Sequence, residues 1–415
     1  MLKAVLASGA APLFVPARVL GAKAPSNRIT LGCIGLGSQG RSANLTNFLG
    51  LDDAYVASVC DVVRSRCETA RAMVNTCYKN SDCKAYADFR RIIEDPAIDA
   101  VVISTPDHWH VPMSLMALEA GKDVFCEKPT KAIAEGRTLR EAVAKHKAVF
   151  QMGMEDRSVP HYHKMVEWLR NGAIGDLERV EVQLPEGQIL PKQAPQPVPA
   201  EVDYNLFVGP AEFIPFRPVF LESRGWRMVR NFASGSLVDW GSHQVDTAQL
   251  AVNAPEVCPV EAEGSGLIPT DALTNVPVRF DVTFRYSTGA EVRVKSGGTG
   301  IRLIGSKGWV GNAKWRGQLE ASDAKILHTK YTAATSKHWT MPPGEQRNFL
   351  DCVKSRRPTT YTAETMHLLH TTLLTGDLAI RLGRKLRWDA GKEEFVNDAE
   401  ANALRSCTYR DWTRA

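Results

Sequence analysis

Ile29-Thr30-Leu31-Gly32-Cys33-Ile34-Gly35-Leu36-Gly37-Ser38-Gln39-Gly40 decides how this chain is read. Its first six residues form an apolar run, the pattern of a buried strand, and the last six spell G-x-G-x-x-G directly behind it. Arg41 to Leu49 then carries helical character, and Ala54 to Cys60 is a second strand that ends on Asp61. In such a unit the first glycine permits the tight turn, the second lets the backbone approach a pyrophosphate, and the third lets helix and strand pack closely. The amide end of the helix faces the phosphates. An acid about 20 residues further on, closing the second strand, suits the hydroxyls of an adenosine ribose, and Asp61 stands there. Together these imply a nicotinamide dinucleotide site on Gly35, Gly37, Ser38, Gln39, Gly40 and Asp61. NAD is expected over NADP, because Asp61 would repel a 2′-phosphate; Arg64 and Arg66, just beyond, would soften that preference.

Strand and helix keep alternating outward from this stretch, which argues a parallel sheet with crossover helices. Asp99 to Ser104 reads as a strand with Thr105-Pro106-Asp107-His108-Trp109-His110 at its carboxyl end, followed by a helix from Val111 to Ala120. Asp123 to Cys126 is the next strand and runs into Glu127-Lys128-Pro129-Thr130; Ala132 to His146 is a helix and Val149 to Met152 a strand. Ligands in open α/β sheets bind outside the carboxyl ends of strands. Thr105, Pro106, His110, Glu127 and Lys128 are therefore expected to gather with Gly35 and Asp61 on one edge. The period then changes: Val278 to Tyr286 and Ala290 to Lys295 alternate strictly, a hairpin with one face buried. Glu178 to Leu184, Arg302 to Ile304 and Trp309-Val310 add strands, Pro185 to Pro199 is a Pro- and Gln-rich loop, and Glu345 to Ser355 and Thr362 to Leu382 are helices. The expected class is α/β: an N-terminal doubly wound parallel sheet of Rossmann type over 25–150, then over 151–415 an α+β domain with a large, mostly antiparallel, open-faced sheet.

The composition bounds the function. The 415 residues are 44% hydrophobic and 23% charged, enough for a sizeable core in two domains. The 51 basic and 46 acidic residues are mixed along the chain, so the net charge of +5 gives no footprint for nucleic acid. Leu2 to Leu20 is apolar but interrupted by Pro12, Pro16 and Arg18, and no membrane anchor is expected. Leu2 to Pro12 with Val19 to Ala24 looks like the later part of a twin-arginine export signal lacking its arginine pair. Residues 1–24 are accordingly set apart and a periplasmic or exported location is expected, with the cytoplasm as the alternative. The nine cysteines show no zinc spacing, and Cys77 and Cys83, bracketing a polar turn, could pair in an exported protein.

With Gly35 to Gly40, Pro106 with His110, Glu127-Lys128-Pro129, and Asp239-Trp240-Gly241-Ser242-His243 with Asp246, the chain resembles the glucose-fructose oxidoreductase, inositol dehydrogenase and rhizopine catabolism family, Gfo/Idh/MocA, from about Arg28 to the C-terminal tail. The resemblance implies an NAD(P)-dependent oxidoreductase acting on a sugar, sugar derivative or cyclitol. It also implies that Lys128, Asp239 and His243 form the catalytic group and that subunits pair through an open sheet face into dimers or tetramers. The export-like segment, Asn205 to Pro210 and the D-W-G-x-H form look like the secreted, sugar-directed branch. Two features depart from the pattern: Asp107 stands where many members carry Asn, and the stretch from Glu201 to Asn231 differs.

The residues suit this chemistry. Lys128, directly after a strand on the cofactor edge, can hold an alkoxide or polarise a carbonyl. Asp239, His243 and Asp246 are spaced i, i+4, i+7, which in one helix places them on one face, expected to look into the pocket. A neutral His243 can take the alcohol proton near neutral pH, with Asp239 orienting it or binding a neighbouring hydroxyl. Arg157, Trp226 and Arg227 are candidate sugar contacts, with a structural salt bridge or core aromatic as the alternative for each. His108, His110, His161, His163 and His338 show no metal-ligand pattern, and no metal is expected; the G-x-S-x-G elbow of a serine hydrolase is absent. Two other readings stand beside the dehydrogenase: a redox-neutral, NAD-dependent glycoside-cleaving enzyme, and a non-catalytic sugar or cofactor sensor.

Overall fold

The computed structural model describes residues 27–253, 257–332, 337 and 340–412. The export-like segment 1–24 and His338 lie outside them. The first domain runs β1 (Ile29–Ile34), α1 (Thr46–Leu49), β2 (Ala54–Cys60), α2 (Arg64–Tyr78), β3 (Lys84–Tyr86), α3 (Arg90–Ile93), β4 (Ala100–Ile103), α4 (Asp107–Glu119), β5 (Asp123–Glu127), α5 (Ile133–His146) and β6 (Phe150–Gly153). Its six strands are parallel, in the order β3-β2-β1-β4-β5-β6. The order reverses between β1 and β4, and a crevice opens there at the carboxyl ends. The apolar runs of β4 and β5 are buried along their whole length, as strands covered on both faces must be. Helix α4 begins at Asp107 rather than Val111, because Pro106 is extended and acts as its cap, leaving Asp107 in the first turn. The helical stretch expected over Arg41 to Leu49 is present, as a π-helix over Gly40–Leu45 that passes into α1.

The second domain runs α6 (Pro160–Arg170), β7 (Leu177–Leu184), α7 (Tyr204–Val208), α8 (Ser236–Asp239), α9 (Gly241–Val252), β8 (Glu261–Leu267), β9 (Arg279–Arg285), β10 (Glu291–Ser296), β11 (Ile301–Gly305), β12 (Gly308–Asn312), β13 (Leu319–Ala321), α10 (Ala324–His328), α11 (Glu345–Ser355), α12 (Ala363–Leu382), β14 (Leu386–Asp389), β15 (Glu394–Phe395) and α13 (Ala399–Ala403). Its nine strands lie in the order β13-β12-β11-β7-β10-β9-β8-β14-β15, antiparallel except for β7 beside β10. Strands β9 and β10 follow the alternation seen in the sequence: Phe280, Val282, Phe284, Val292 and Val294 are buried on the inner face. The outer face carries paired charges, among them Arg293 with Asp281 at 2.6 Å and Arg285 with Glu291 at 2.9 Å.

Two observations bear on the division near residue 150. The parallel sheet continues to Gly153, and α11, although it lies far later in the chain, packs on the first domain rather than the second. Phe349 meets Phe48 and Phe125 edge to face, with centroids 6.3 and 5.8 Å apart. Arg347 grips Asp53 with two bonds of 2.7 and 2.8 Å, and Arg356 grips Asp123 at 2.5 and 3.0 Å. Cys77 and Cys83 do not pair: both are free, with Cys77 exposed and directed at the Leu49 carbonyl and Cys83 buried and directed at that of Lys84.

Between β7 and α8 the chain crosses back over the first domain. Val63 and Val202 form a β-bridge, the Arg64 amide donates to the Glu201 carbonyl at 3.0 Å, and the Asp203 amide donates to the Val62 carbonyl at 3.0 Å. Arg66 donates to the Leu221 carbonyl at 2.6 Å. The C-terminal tail fastens the same segment from the other side. Arg410 donates to the Gly209 carbonyl at 2.7 Å and to Asn205 Oδ1 at 2.6 Å, while Trp412 packs on Trp109 with centroids 4.9 Å apart. No described helix is long and apolar enough to cross a membrane.

Candidate active site and cofactor groove

One cavity of about 430 Å³ runs along the carboxyl edge of the parallel sheet. Gly35, Gly37, Ser38, Gln39, Asp61, Thr105, Pro106, His110, Glu127 and Lys128 all line it. Gly40 sits just behind, where a Cβ would come within 2.0 Å of the Gly35 carbonyl. Gly35 has φ 85°, a left-handed value, and a Cβ there would strike the Ser104 backbone at 2.6 Å. At Gly37 a Cβ would meet nothing within 4 Å, so that glycine faces open groove. A tight turn, a bare approach and a close helix contact therefore fall on the three glycines in order, which is the cradle a dinucleotide pyrophosphate requires. The opposite wall is the crossing segment, with Leu206, Phe207, Leu221, Trp226 and Arg227.

Asp61 is buried, and each oxygen already accepts an amide: Oδ2 from Leu36 at 2.6 Å and Oδ1 from Val63 at 2.8 Å. Burial raises its pKa, and the two amides, with Arg66 and Arg41, oppose the rise. Glu127 turns inward, accepting from Asn44 at 2.8 Å and Gln39 at 3.1 Å. Desolvation raises its pKa too, against the pull of Asn44 and Lys128. His110 places Nδ1 2.8 Å from the Pro129 carbonyl and Nε2 2.8 Å from that of Thr105, tying the loops after β4 and β5 together. Burial pushes its pKa down to about 4, although both carbonyls favour the charged ring.

Lys128 leaves the end of β5 and points at the start of the second domain. Its Nζ donates to Asp239 Oδ1 at 2.6 Å and to the Asp239 carbonyl at 2.8 Å. Arg227 reaches the other carboxylate oxygen, Nε to Oδ2 3.3 Å, and also stacks over Trp226 at 4.2 Å. Burial alone would raise the pKa of Asp239; Lys128 and Arg227 outweigh it and hold the carboxyl well below the usual range. Asp107 lies close by and has no such partner. Desolvation and the Asp239 charge push it up to about 8, so it is a neutral acid at pH 7 despite Arg227, Lys128 and Lys131.

The backbone stays in the helical region through Trp240 between α8 and α9. The three side chains of the i, i+4, i+7 row nevertheless go to three different partners, Asp239 to Lys128, His243 to Asp156 and Asp246 to Arg157. His243 pairs with Asp156, Nδ1 to Oδ2 2.5 Å. Asp246 and Arg157 form a buried ion pair, the structural alternative to a substrate contact for Arg157. Arg157 donates to Asp246 at 3.0 and 2.6 Å and to the Thr360 carbonyl at 3.0 Å, and it lies 4.5 Å over the Tyr361 ring. Its donors are consumed by groups whose own burial demands them.

Asp156 is the residue that sequence reasoning missed. It follows β6 in a Glu-Asp-Arg turn that reads as solvated, yet it is fully buried. Trp315 donates its indole N–H to Oδ1 at 3.1 Å, and Arg316 approaches the same oxygen at 3.7 Å. Burial raises the pKa of Asp156, but His243, Arg316 and Trp315 together keep it below the ordinary carboxylate value. Glu155, Asp156 and His243 are the group of potential metal-binding side chains that comes together among the described residues. Arg316 pairs with Glu155 and approaches Asp156 at 3.7 Å.

Residues 29–154 match an oxidoreductase family's NAD-binding Rossmann fold, and residues 189–414 match its C-terminal alpha/beta domain. The uncharacterized oxidoreductase YrbE of Bacillus subtilis is 26% identical over 244 residues, 59% of each chain. Inositol 2-dehydrogenase 1 of Saccharopolyspora erythraea is 33% identical over 150 residues, 36% of this chain and 43% of that protein. The chain thus spans about half the length of these curated relatives. Among solved structures, the aldose-aldose oxidoreductase of Caulobacter crescentus superposes with a TM-score of 0.64 at 19% identity, covering 87% of this chain and 99% of that one. Levoglucosan dehydrogenase in complex with NADH and L-sorbose gives 0.64 at 18%, covering 87% and 98%. At these identities the superpositions show a common two-domain fold. Because both domains are matched in order and the second match alone spans more than half of the sequence, the chain belongs to the Gfo/Idh/MocA oxidoreductase family, with an NAD-binding Rossmann domain at its N-terminal side.

Proposed function

We propose that the protein is an NAD-dependent oxidoreductase that moves a hydride between the nicotinamide and a hydroxyl or keto carbon of a sugar, sugar derivative or cyclitol. The observation that carries this reading is the placement of the Lys128 ammonium, on the wall of the dinucleotide groove and 2.6 Å from Asp239. The names of the relatives, an inositol dehydrogenase and a levoglucosan dehydrogenase, point to the same substrate class. A bound nicotinamide would supply the hydride chemistry. Lys128 binds and polarises the substrate oxygen, and Asp239 with Arg227 fixes the ammonium in place. Asp156 holds His243 by Nδ1, which leaves Nε2 to take the alcohol proton or return it.

The crossing segment from Leu206 to Arg227 roofs the groove, and that roof favours a second reading. A cofactor held beneath it would stay bound and be reoxidised in place, as a closed redox cycle between two sugars or around a glycosidic bond cleavage requires. Export directed by residues 1–24, to the periplasm or beyond, would demand such retention, since free cofactor is not maintained there. The outer face of the nine-stranded sheet is the proposed contact for a dimer or tetramer. The test is to purify the full chain, measure its intact mass and absorbance spectrum, and add sugars and inositols with and without NAD or NADP. A change in nicotinamide absorbance with at least one of them supports the reading; none with any of them, under either cofactor, overturns it.

A further inference from the structure

Two indole rings meet at a corner beside His243. Trp240, between α8 and α9, and Trp315, in the β12–β13 connection, have centroids 5.3 Å apart and planes at 85°. The His243 ring lies 5.8 Å from the first and 5.2 Å from the second. Both indoles are partly exposed, as are those of Trp226, Trp309 and Trp412. Apolar surface left in contact with water and clustered at a site marks a place where a ligand lands.

The corner is also held rigidly. The Trp315 amide donates to Thr299 Oγ1 at 3.2 Å and its indole N–H to Asp156 at 3.1 Å. The Arg316 amide donates to the Tyr162 hydroxyl at 2.9 Å, and its guanidinium pairs with Glu155 and stands 4.1 Å over the Trp315 ring. Arg316 has φ 57°, a left-handed conformation disfavoured for any residue with a side chain and maintained only where its surroundings enforce it. Holding Asp156 accounts for the Trp315 indole N–H. It does not account for Trp240, whose indole N–H has no hydrogen-bond partner among the described residues. A ring with an apolar face and a spare donor at its edge matches a pyranose, which offers a C–H face rimmed by hydroxyls.

We infer that the Trp240–Trp315 corner binds a second sugar ring, so that the substrate is a glycoside or disaccharide whose reacting unit lies between Lys128 and His243. This inference rests on the proposed sugar chemistry of the site.

The test is calorimetric titration of the full chain, as purified, with glucose, galactose, N-acetylglucosamine and myo-inositol, and with cellobiose, maltose, lactose and chitobiose. At least one disaccharide is expected to bind about tenfold or more tightly than either of its monosaccharide units. Trp240→Ala should cancel that margin and Trp240→Phe should keep most of it, which separates stacking from a folding defect. Monosaccharides that bind as tightly as every disaccharide, a margin that survives Trp240→Ala, or no binding by any sugar would each overturn the inference. Because the readout is binding, a disaccharide margin in a protein that transfers no hydride would sink the proposed reaction and leave the subsite standing.

Discussion

His243 Nδ1 and Asp156 Oδ2 stand 2.5 Å apart across 87 residues of sequence, one from the second domain and one from the turn that ends the parallel sheet. The carboxylate is buried and accepts from the histidine, which fixes the tautomer with its free nitrogen on the far side of the ring. Asp156→Asn presents an amide that can donate to Nδ1 and select the wrong tautomer. Turnover is expected to fall about 100-fold, in the range of a lost general base, with KM little changed. Steady-state kinetics on the most active sugar checks this; an unaltered kcat would remove Asp156 from the mechanism.

Asp61 is expected to make the protein prefer NAD to NADP. A 2′-phosphate would meet a buried carboxylate whose amide donors are already engaged, and Arg66 has one nitrogen committed to the Leu221 carbonyl. Calorimetric titration with both cofactors should favour NAD, and Asp61→Ala should narrow the gap. NADP binding as tightly as NAD would refute the assignment.

Asp107 gives a pH signature. Its carboxyl is pushed up to about 8 in the folded chain, against about 3.9 when unfolded. Between those values the folded state binds the extra proton, so its stability falls as pH rises through the window. Asp107→Asn carries no such proton. Its melting temperature should exceed that of the parent by a margin that grows from about pH 4 to about pH 8 and then levels off. A margin independent of pH would contradict the burial argument.

Lys128 and His243 should be separable from cofactor retention. Freshly purified protein is expected to carry NAD, and sugar to produce at most one equivalent of NADH absorbance. Lys128→Ala and His243→Ala should each abolish that burst while the nucleotide still co-purifies. Continuous turnover that depends on added NAD, with nothing retained, would indicate a dissociable cofactor and an ordinary dehydrogenase cycle.

The charged outer face of the nine-stranded sheet should be an interface. Light scattering at micromolar protein is expected to give a dimer or tetramer mass. Reversing Arg293 and Asp281 together would keep their mutual pairing while disturbing the partner's, and a monomer mass for the parent would end the proposal.

The parts of the site that the sequence made legible are the local ones. Gly35, Gly37 and Gly40 need their neighbours within a few residues, and Lys128 needs only the strand before it. Asp156 is hidden because an acid in a Glu-Asp-Arg turn looks solvated until its partners, His243 and Trp315, arrive from distant elements. Arg157 stays open between substrate contact and salt bridge for the converse reason: nothing in the order of residues shows that it pairs with Asp246. The roof over the groove is opaque for a third reason, since Glu201 to Arg227 has little periodicity and is organised by hydrogen bonds to the first domain.

Helix α11 has a consequence for how the molecule comes into being. The sheet that starts at Ile29 keeps Phe48 and Phe125 uncovered until Phe349 reaches them, late in synthesis. A ribosome releasing the chain from its N-terminus therefore exposes an unfinished apolar surface for most of translation, the situation in which nascent chains recruit chaperones. A fragment ending near Gly153 should therefore aggregate, and supplying residues 340–360 as a separate peptide should restore its solubility.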